Sequence, residues 1–385
     1  MRLLLVMPNI VSYRMFHAEL GAELCAAGAE VHVACSPASL GDPGVKVSGA
    51  GASQEHDGLT IHEIDFARGM NPIAHLRAAR RLASLVDRLK PDIVHVHFDA
   101  AIFTAAIARN SRWPATIATF HGLSFPSFHG WRRMLIRSAT VWAVRRFDSV
   151  FVLNRENHDI LRAAARGADV RMFECAGVGC DLVRFTPPDA AGRETVRAKL
   201  GFSPEHCVFI YVGRFVAVKG FALTVRAFLQ FAQREPNARL LLVGYADSLH
   251  PGGLTGAEEA LMKSSSQIVD VGQQKNVEHY LAAADVMVLP SFREGMPVCL
   301  MESLAMGVPV VTRDVCGCRD VVRDNIDGIV LRDCNEDTIA AAMKQYADSP
   351  ELRRRMSSRA LADRDRFSRS HFIREQKNVY ETCMR

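Results

Sequence analysis

Short runs of apolar, β-branched residues recur along the chain, each followed by an amphipathic stretch of helical length, and this alternation narrows the possible folds sharply. The predicted strands are Leu3–Met7, Val31–Cys35, Ile93–His97, Thr116–Phe120 and Val150–Leu153, then Val208–Val212, Leu240–Val243, Ile268–Val271, Val286–Leu289 and Val308–Thr312. A strand that is apolar on both faces is buried on both faces, which suits a parallel sheet crossed over by helices. The expected class is therefore α/β of the doubly wound kind. A chain of 385 residues exceeds one ordinary domain of roughly 100–200 residues, so two are expected. The strand series restarts at Val208, just after the proline- and glycine-rich stretch Thr186–Gly192, which reads as a linker. We place an N-terminal domain over residues 1–190 and a C-terminal domain over 191–367, facing each other across a cleft where ligands bind. The helical pattern Ser368–Met384 has no strand after it, so residues 368–385 form a C-terminal helix free to pack on either domain, including back on the first.

Composition removes other classes. Hydrophobic residues make up 49% and charged residues 23%, which excludes a disordered chain, a coiled coil and a collagen-like repeat. The longest apolar stretches are roughly 5–7 residues against the ~20 needed to span a bilayer. Arg2 with Leu3–Met7 is too short for a secretory signal and reads as a first strand, so a cytoplasmic protein is expected. Ten cysteines are scattered, only Cys316-Gly-Cys318 is closely spaced, and they are read as reduced, mostly buried side chains. The net charge is +5, unevenly spread: seven arginines stand between Asp99 and Asp148 with no acidic residue among them. A local cationic block on an otherwise neutral chain points to an anionic surface as partner.

Two stretches carry chemistry. In Pro290–Val310, a strand leads into Glu294-Gly295-Met296-Pro297, and a helix follows that carries Glu302. Gly295 permits close backbone approach, and the first-turn N–H groups of a helix suit an anion. In Val208–Gly220, Arg214 stands at the carboxyl end of a strand and Lys219 five residues on, before a glycine and a helix. Parallel sheets bind ligands at such strand ends, and a guanidinium with an ammonium suits a diphosphate.

Together these stretches resemble the GT-B retaining glycosyltransferases grouped as family 4. Glu294–Glu302 is similar to that family's E-x7-E motif, and Gly213-Arg-Phe-x3-Lys-Gly220 to its phosphate-binding motif. Ala176–Phe185 resembles its Gly-x-x-x-Asp-x-x-x-Phe segment, and Phe120-His-Gly122 its His-Gly after a first-domain strand. Glu-Gly-Met-Pro-Val with Cys-Gly-Cys-Arg-Asp320 is most similar to enzymes that add HexNAc units to undecaprenyl-diphosphate glycans.

The resemblance implies two Rossmann-like domains, a UDP-linked nucleotide-sugar donor, and a lipid-linked saccharide acceptor in cell-surface glycan synthesis. It implies that Glu294, with Gly295, Met296 and Pro297, meets the donor sugar. Glu302 would hold the ribose, Arg214 and Lys219 the diphosphate, and His121 the reacting centre from the first domain. Cationic side chains stand where other enzymes use a metal, so no cofactor is expected. Asp363-Arg-Asp365 reads as a solvated charged face.

Many relatives carry a Gly-Gly pair in the first loop, whereas Pro8–Phe16 has none; Ser12, Tyr13 and Arg14 are assigned to the acceptor instead. His95 and His97 read first as ordinary strand residues. In Trp131–Phe147, Trp131, Leu135 and Trp142 fall on one helical stripe among Arg132, Arg133 and Arg137. This segment is either a core-packed helix with exposed arginines or a membrane-surface helix that holds the protein at the inner face of the cytoplasmic membrane. A nucleotide-sugar epimerase of the same architecture and a non-catalytic binder of anionic polymers are the alternatives; nucleic acid is not an expected partner.

Overall fold

A computed structural model of the protein describes residues 1–36, 54–56, 59–67, 69, 71–175, 177–247 and 250–384. The chain divides into two units, Met1–Glu174 with Ile373–Arg385, and Cys175–Phe372.

The first unit is built on eight strands: β1 (Arg2–Asn9), β2 (Glu30–Ser36), β3 (Gln54–His56), β4 (Leu59–Glu63), β5 (Ile93–His97), β6 (Ala115–Phe120), β7 (Ser149–Val152) and β8 (Val170–Met172). Their order is β3-β4-β2-β1-β5-β6-β7-β8, parallel throughout except for the antiparallel pair β3–β4. β1 lies between β2 and β5, with Leu3 paired to Val31 on one side and Ile93 on the other. Leu3 to Met7 are fully buried, as strands covered on both faces must be.

The second unit has six strands: β9 (Cys207–Phe215), β10 (Ala238–Ala246), β11 (Ile268–Asp270), β12 (Val286–Leu289), β13 (Val310–Arg313) and β14 (Gly328–Leu331). Their order is β11-β10-β9-β12-β13-β14, all parallel. Two doubly wound parallel sheets give the GT-B type of α/β architecture.

Four strands escaped the sequence reading: β3, β4, β8 and β14. Three of them are edges and β4 is next to one, and such strands need no continuous apolar run. The residue 190 boundary also needs correction, because residues from Cys175 onward group with the second unit. The reason lies in hydrogen bonds: Cys180 N donates to Phe367 O at 2.7 Å, Arg369 N donates to Cys180 O at 3.0 Å, and the Arg364 guanidinium donates to Leu182 O and Phe185 O. Five cysteines are buried and five partly exposed, fewer buried than expected.

The helix Arg369–Cys383 begins in the second unit, and from Ile373 onward it belongs to the first. There Tyr380 Oη lies 2.7 Å from His95 Nδ1, Lys377 pairs with Glu23, and Glu375 accepts from Glu174 N at 2.8 Å. Ile373, Gln376 and Tyr380 are buried.

Candidate active site

The second unit gathers its functional side chains at the carboxyl ends of β9 and β12. β9 ends at Phe215, and a single 3-10 turn, Ala217–Lys219, leads into Gly220 and the helix Phe221–Ala232. Gly220 has φ 73°, and a Cβ there would overlap the carbonyl oxygen of Pro290. Only glycine lets these two strand ends approach so closely. The contact is reinforced by Phe292 N donating to Val218 O at 2.8 Å and by Ser291 Oγ at 3.1 Å from the same oxygen. Two segments some seventy residues apart in sequence are thereby joined at one place.

The joint brings Lys219 onto Glu294. Nζ lies 2.6 Å from Oε1 and 2.7 Å from Oε2, and the Glu294 side chain is only 7% exposed. Arg214, at the end of β9, pairs with Asp247 at 2.8 Å. Tyr211 is buried between these pairs: its hydroxyl donates to Arg214 O at 2.8 Å, and burial, helped by the negative charge of Glu294, pushes its phenol up. Both cations thus hold carboxylates of their own unit.

The helix Val298–Ala305 follows, with Pro297 buried at its N-cap and Met296 packed against Gly177. Glu302 lies inside this helix, and burial pushes its carboxyl up to about 7 against the pull of Arg369 and Arg184. Arg184 comes from the Ala176–Phe185 segment and is itself paired with Glu278 at 2.7 Å; Ala176 lies outside the described residues. Gly317, with φ 81°, packs directly under Glu294 and Gly295, where a Cβ would overlap the Gly295 carbonyl oxygen.

In the first unit, His121 follows β6 and His97 ends β5. His97 Nδ1 and His121 Nε2 are 3.3 Å apart, and the ring of Phe98 stacks on His121 at 3.9 Å and 10°. Burial lowers the His121 and His95 imidazoles to about 3, so both rings are neutral at pH 7.

The first loop departs from expectation. Residues Ile10–Phe16 form a helix capped by Asn9, whose Oδ1 accepts from Ser12 N at 2.8 Å. Tyr13 is buried on the inner face of that helix, and the missing side chain of Gly21 makes room for its hydroxyl, so it serves the fold and not an acceptor. Ser12 is partly exposed and Arg14 exposed. The helix Gly130–Val144 buries only Ala143 and Val144 and packs Ile136 and Val141 partly on the core, while Trp131 (69%), Met134 (71%), Leu135 (48%) and Trp142 (42%) are exposed, so most of its apolar stripe lies outside the core. Asp363 and Asp365 are exposed, as a solvated charged face requires, with Asp363 paired to Arg323 at 2.7 Å.

Asp247, Arg369 and Tyr211 were not read from the sequence. Asp247 was within reach of it: β10 runs in register with β9, pairing Tyr245 with Arg214, so an acid two residues on falls beside the guanidinium.

Residues 14–176 match the family described as Glycosyl transferase 4-like domain, and residues 192–363 the family Glycosyl transferases group 1. A Bacillus subtilis protein named as glycosyltransferase EpsD is 24% identical over 80% of this chain and 81% of its own. The D-inositol 3-phosphate glycosyltransferase of Nocardia farcinica is 30% identical over 53% of this chain, which spans about half (46%) of that relative. Among solved structures, sucrose-phosphate synthase from Thermosynechococcus elongatus has a TM-score of 0.79 at 18% identity, covering 99% of both chains. Anabaena Alr3699/HepE in complex with UDP and glucose has a TM-score of 0.74 at 15% identity, covering 98% of both. Carrying a 4-like domain followed by a group 1 domain over most of its length, on two parallel α/β sheets, the chain belongs with the group 1 glycosyltransferases and is an enzyme of that kind.

Proposed function

We propose that the protein moves a hexose or N-acetylhexosamine from a UDP-linked donor to a saccharide carried on a polyprenyl diphosphate, with retention of configuration and without a metal. The observation that carries this reading is the grip of Lys219 on both oxygens of Glu294 beside the Arg214–Asp247 pair. A diphosphate competes with these carboxylates for the same two cations. Once it takes Lys219, the Glu294 carboxylate is released to accept hydrogen bonds from hydroxyls of the donor sugar, supported by the backbone of Gly295 and Met296. Arg214 and Lys219 then neutralise the charge that grows on the departing nucleotide. Glu302 accepts from the ribose hydroxyls, and His121 meets the reacting centre from the first unit. The UDP and glucose of the HepE complex support the choice of donor.

The acceptor assignment rests on the helix Gly130–Val144. Arg132, Arg133 and Arg137 are exposed on it together with Trp131 and Trp142, and no helix among the described residues is long and apolar enough to cross a membrane. Each arginine near an anionic leaflet contributes ~1 kcal/mol, and the tryptophans add an attraction that salt does not screen. A lipid-linked acceptor is thereby met at the cytoplasmic membrane surface, with Ser12 and Arg14 as candidate contacts.

Two measurements test the reading. UDP-glucose or UDP-N-acetylglucosamine should raise the melting point of the full chain, since a ligand at ~100 times its Kd stabilises by ~2.7 kcal/mol. Lys219→Ala should abolish that rise; a rise retained in this variant removes the diphosphate assignment, and a response to GDP-mannose alone replaces the base. Wild-type protein should sediment with phosphatidylglycerol liposomes at low salt, and the variant with Arg132, Arg133 and Arg137 changed to glutamate should not. Failure of wild type to bind, with transfer to a soluble inositol phosphate, would replace the lipid-linked acceptor.

A further inference from the structure

We infer that His97 is a positioning residue for His121: it donates from Nδ1 to His121 Nε2 and fixes His121 as the tautomer with its proton on Nδ1, a hydrogen-bond donor to a substrate oxygen. The consequence for substrate rests on the placing of His121 at the reacting centre; the tautomer itself does not.

His97 is fully buried, and its Nε2 has no hydrogen-bond partner. A neutral imidazole carries one proton. On Nε2, that proton would be an orphaned N–H in the core, while on Nδ1 it reaches His121 Nε2 at 3.3 Å and leaves only a bare lone pair unpaired. Buried N–H groups without partners are the rarer and costlier case. His95 offers His97 no alternative, because its own two nitrogens are taken by Tyr380 Oη and Thr119 Oγ1, both at 2.7 Å. Burial lowers all three imidazoles and keeps the rings neutral at pH 7, with the neighbouring His95 and His17 acting on His97 in the same direction. With Nε2 of His121 accepting, its one proton must be on Nδ1. That nitrogen has no hydrogen-bond partner among the described residues, and His121 as a whole residue is partly exposed.

The orientation of His121 is fixed by its surroundings as firmly as its proton. Phe98 adopts φ 70° and ψ 145°, a backbone region that is essentially reserved for glycine. This strained turn at the end of β5 lays its ring flat on His121 at 3.9 Å. Immediately after it, Asp99 accepts from Ser124 N at 3.1 Å and from Ser124 Oγ, tying down the loop that follows His121. Strain of this kind persists where the surrounding structure over-determines it, and here it serves to aim one imidazole.

Long-range 15N–1H spectra of the histidine-labelled full chain, without substrate, read the protonated nitrogen of His121 directly. Wild type should show His121 protonated at Nδ1. In His97→Phe, which removes the donor, the signal should shift to the Nε2-protonated form that an unconstrained imidazole prefers. In His97→Asn, whose amide can stand where Nδ1–H stood, it should return. A wild-type His121 protonated at Nε2 overturns the inference even if the Phe variant does not fold, as does an unchanged tautomer in a folded His97→Phe. Because no donor or acceptor is added, these outcomes are independent of whether the transfer reaction has been assigned correctly.

Discussion

Glu302 sits in an environment opposed to its proposed task. A ribose diol offers two O–H donors and is best met by a carboxylate, yet burial raises this group to about 7, against Arg369 and Arg184. Donor binding should therefore favour the ionised form, and the KM for a UDP-sugar should fall as pH rises from about 6 to 8, with Glu302→Gln flattening the profile. Stability has the opposite sign. The folded-state pKa lies above the ordinary value of 4.5, so the folded state holds the extra proton between the two. This contribution is complete below about pH 4.5 and is lost as pH rises through about 7. Ligand-free wild type should lose stability relative to Glu302→Gln across that window, read as urea midpoints; parallel curves would remove the assignment. Glu302, Glu294, Arg214 and Lys219 were legible because each stands in a motif at a strand end or just inside the next helix. Asp247 is legible only through the β9–β10 register, and Arg369 and Arg184 are not legible as partners, because a contact from a remote helix or loop has no fixed spacing in sequence. The burial of Tyr13 is hidden from sequence for a related reason: Asn9 caps the short helix Ile10–Phe16 from the last position of a strand, so no separate loop marks where the helix starts.

At the scale of elements, the strands found from sequence have neighbours on both sides that demand a continuous apolar run, with the exception of β11, an edge strand that is apolar all the same. β5 and β12 were read residue for residue, Ile93–His97 and Val286–Leu289, because both are interior and fully buried. β14, Gly328–Leu331, carries only partly buried residues after its first and gave no such signal. One short turn has an effect larger than its length. Gly317 begins the helix Cys318–Val321 and supports the backbone of Glu294 and Gly295, at a φ of 81° that side chains rarely adopt. Gly317→Ala should push the Glu294 loop away from Lys219 and cost about 1–3 kcal/mol in strain. UDP-sugar binding by calorimetry should weaken at least about tenfold while the circular dichroism spectrum stays native. Unchanged affinity would show that the loop does not depend on this support.

The whole molecule is two α/β units that share one chain unevenly, since the first unit is completed by residues 373–385. Composition and strand count announced two units, but not that the first is discontinuous, because a helix without a following strand does not declare which sheet it covers. A chain ending at Phe372 should lose the Tyr380–His95 and Lys377–Glu23 contacts and uncover the face that Ile373 and Tyr380 cover. Losing two buried side chains of this size costs on the order of 3–5 kcal/mol. Hydrogen exchange should accelerate across β1, β5 and β6 and stay slow in β9 and β12; uniform protection in both sheets would show that the helix is dispensable.

The same helix decides the order in which the protein can be made. Residues 373–385 leave the ribosome about two hundred residues after Glu174, a delay of roughly 10–40 s at ordinary synthesis rates. Domains generally mature from the amino end as they emerge, but here the amino-terminal unit waits with one wall missing while the later unit, contiguous from Cys175 to Phe372, is finished first. The nascent chain therefore spends that interval with the surface around His95 open to chaperones.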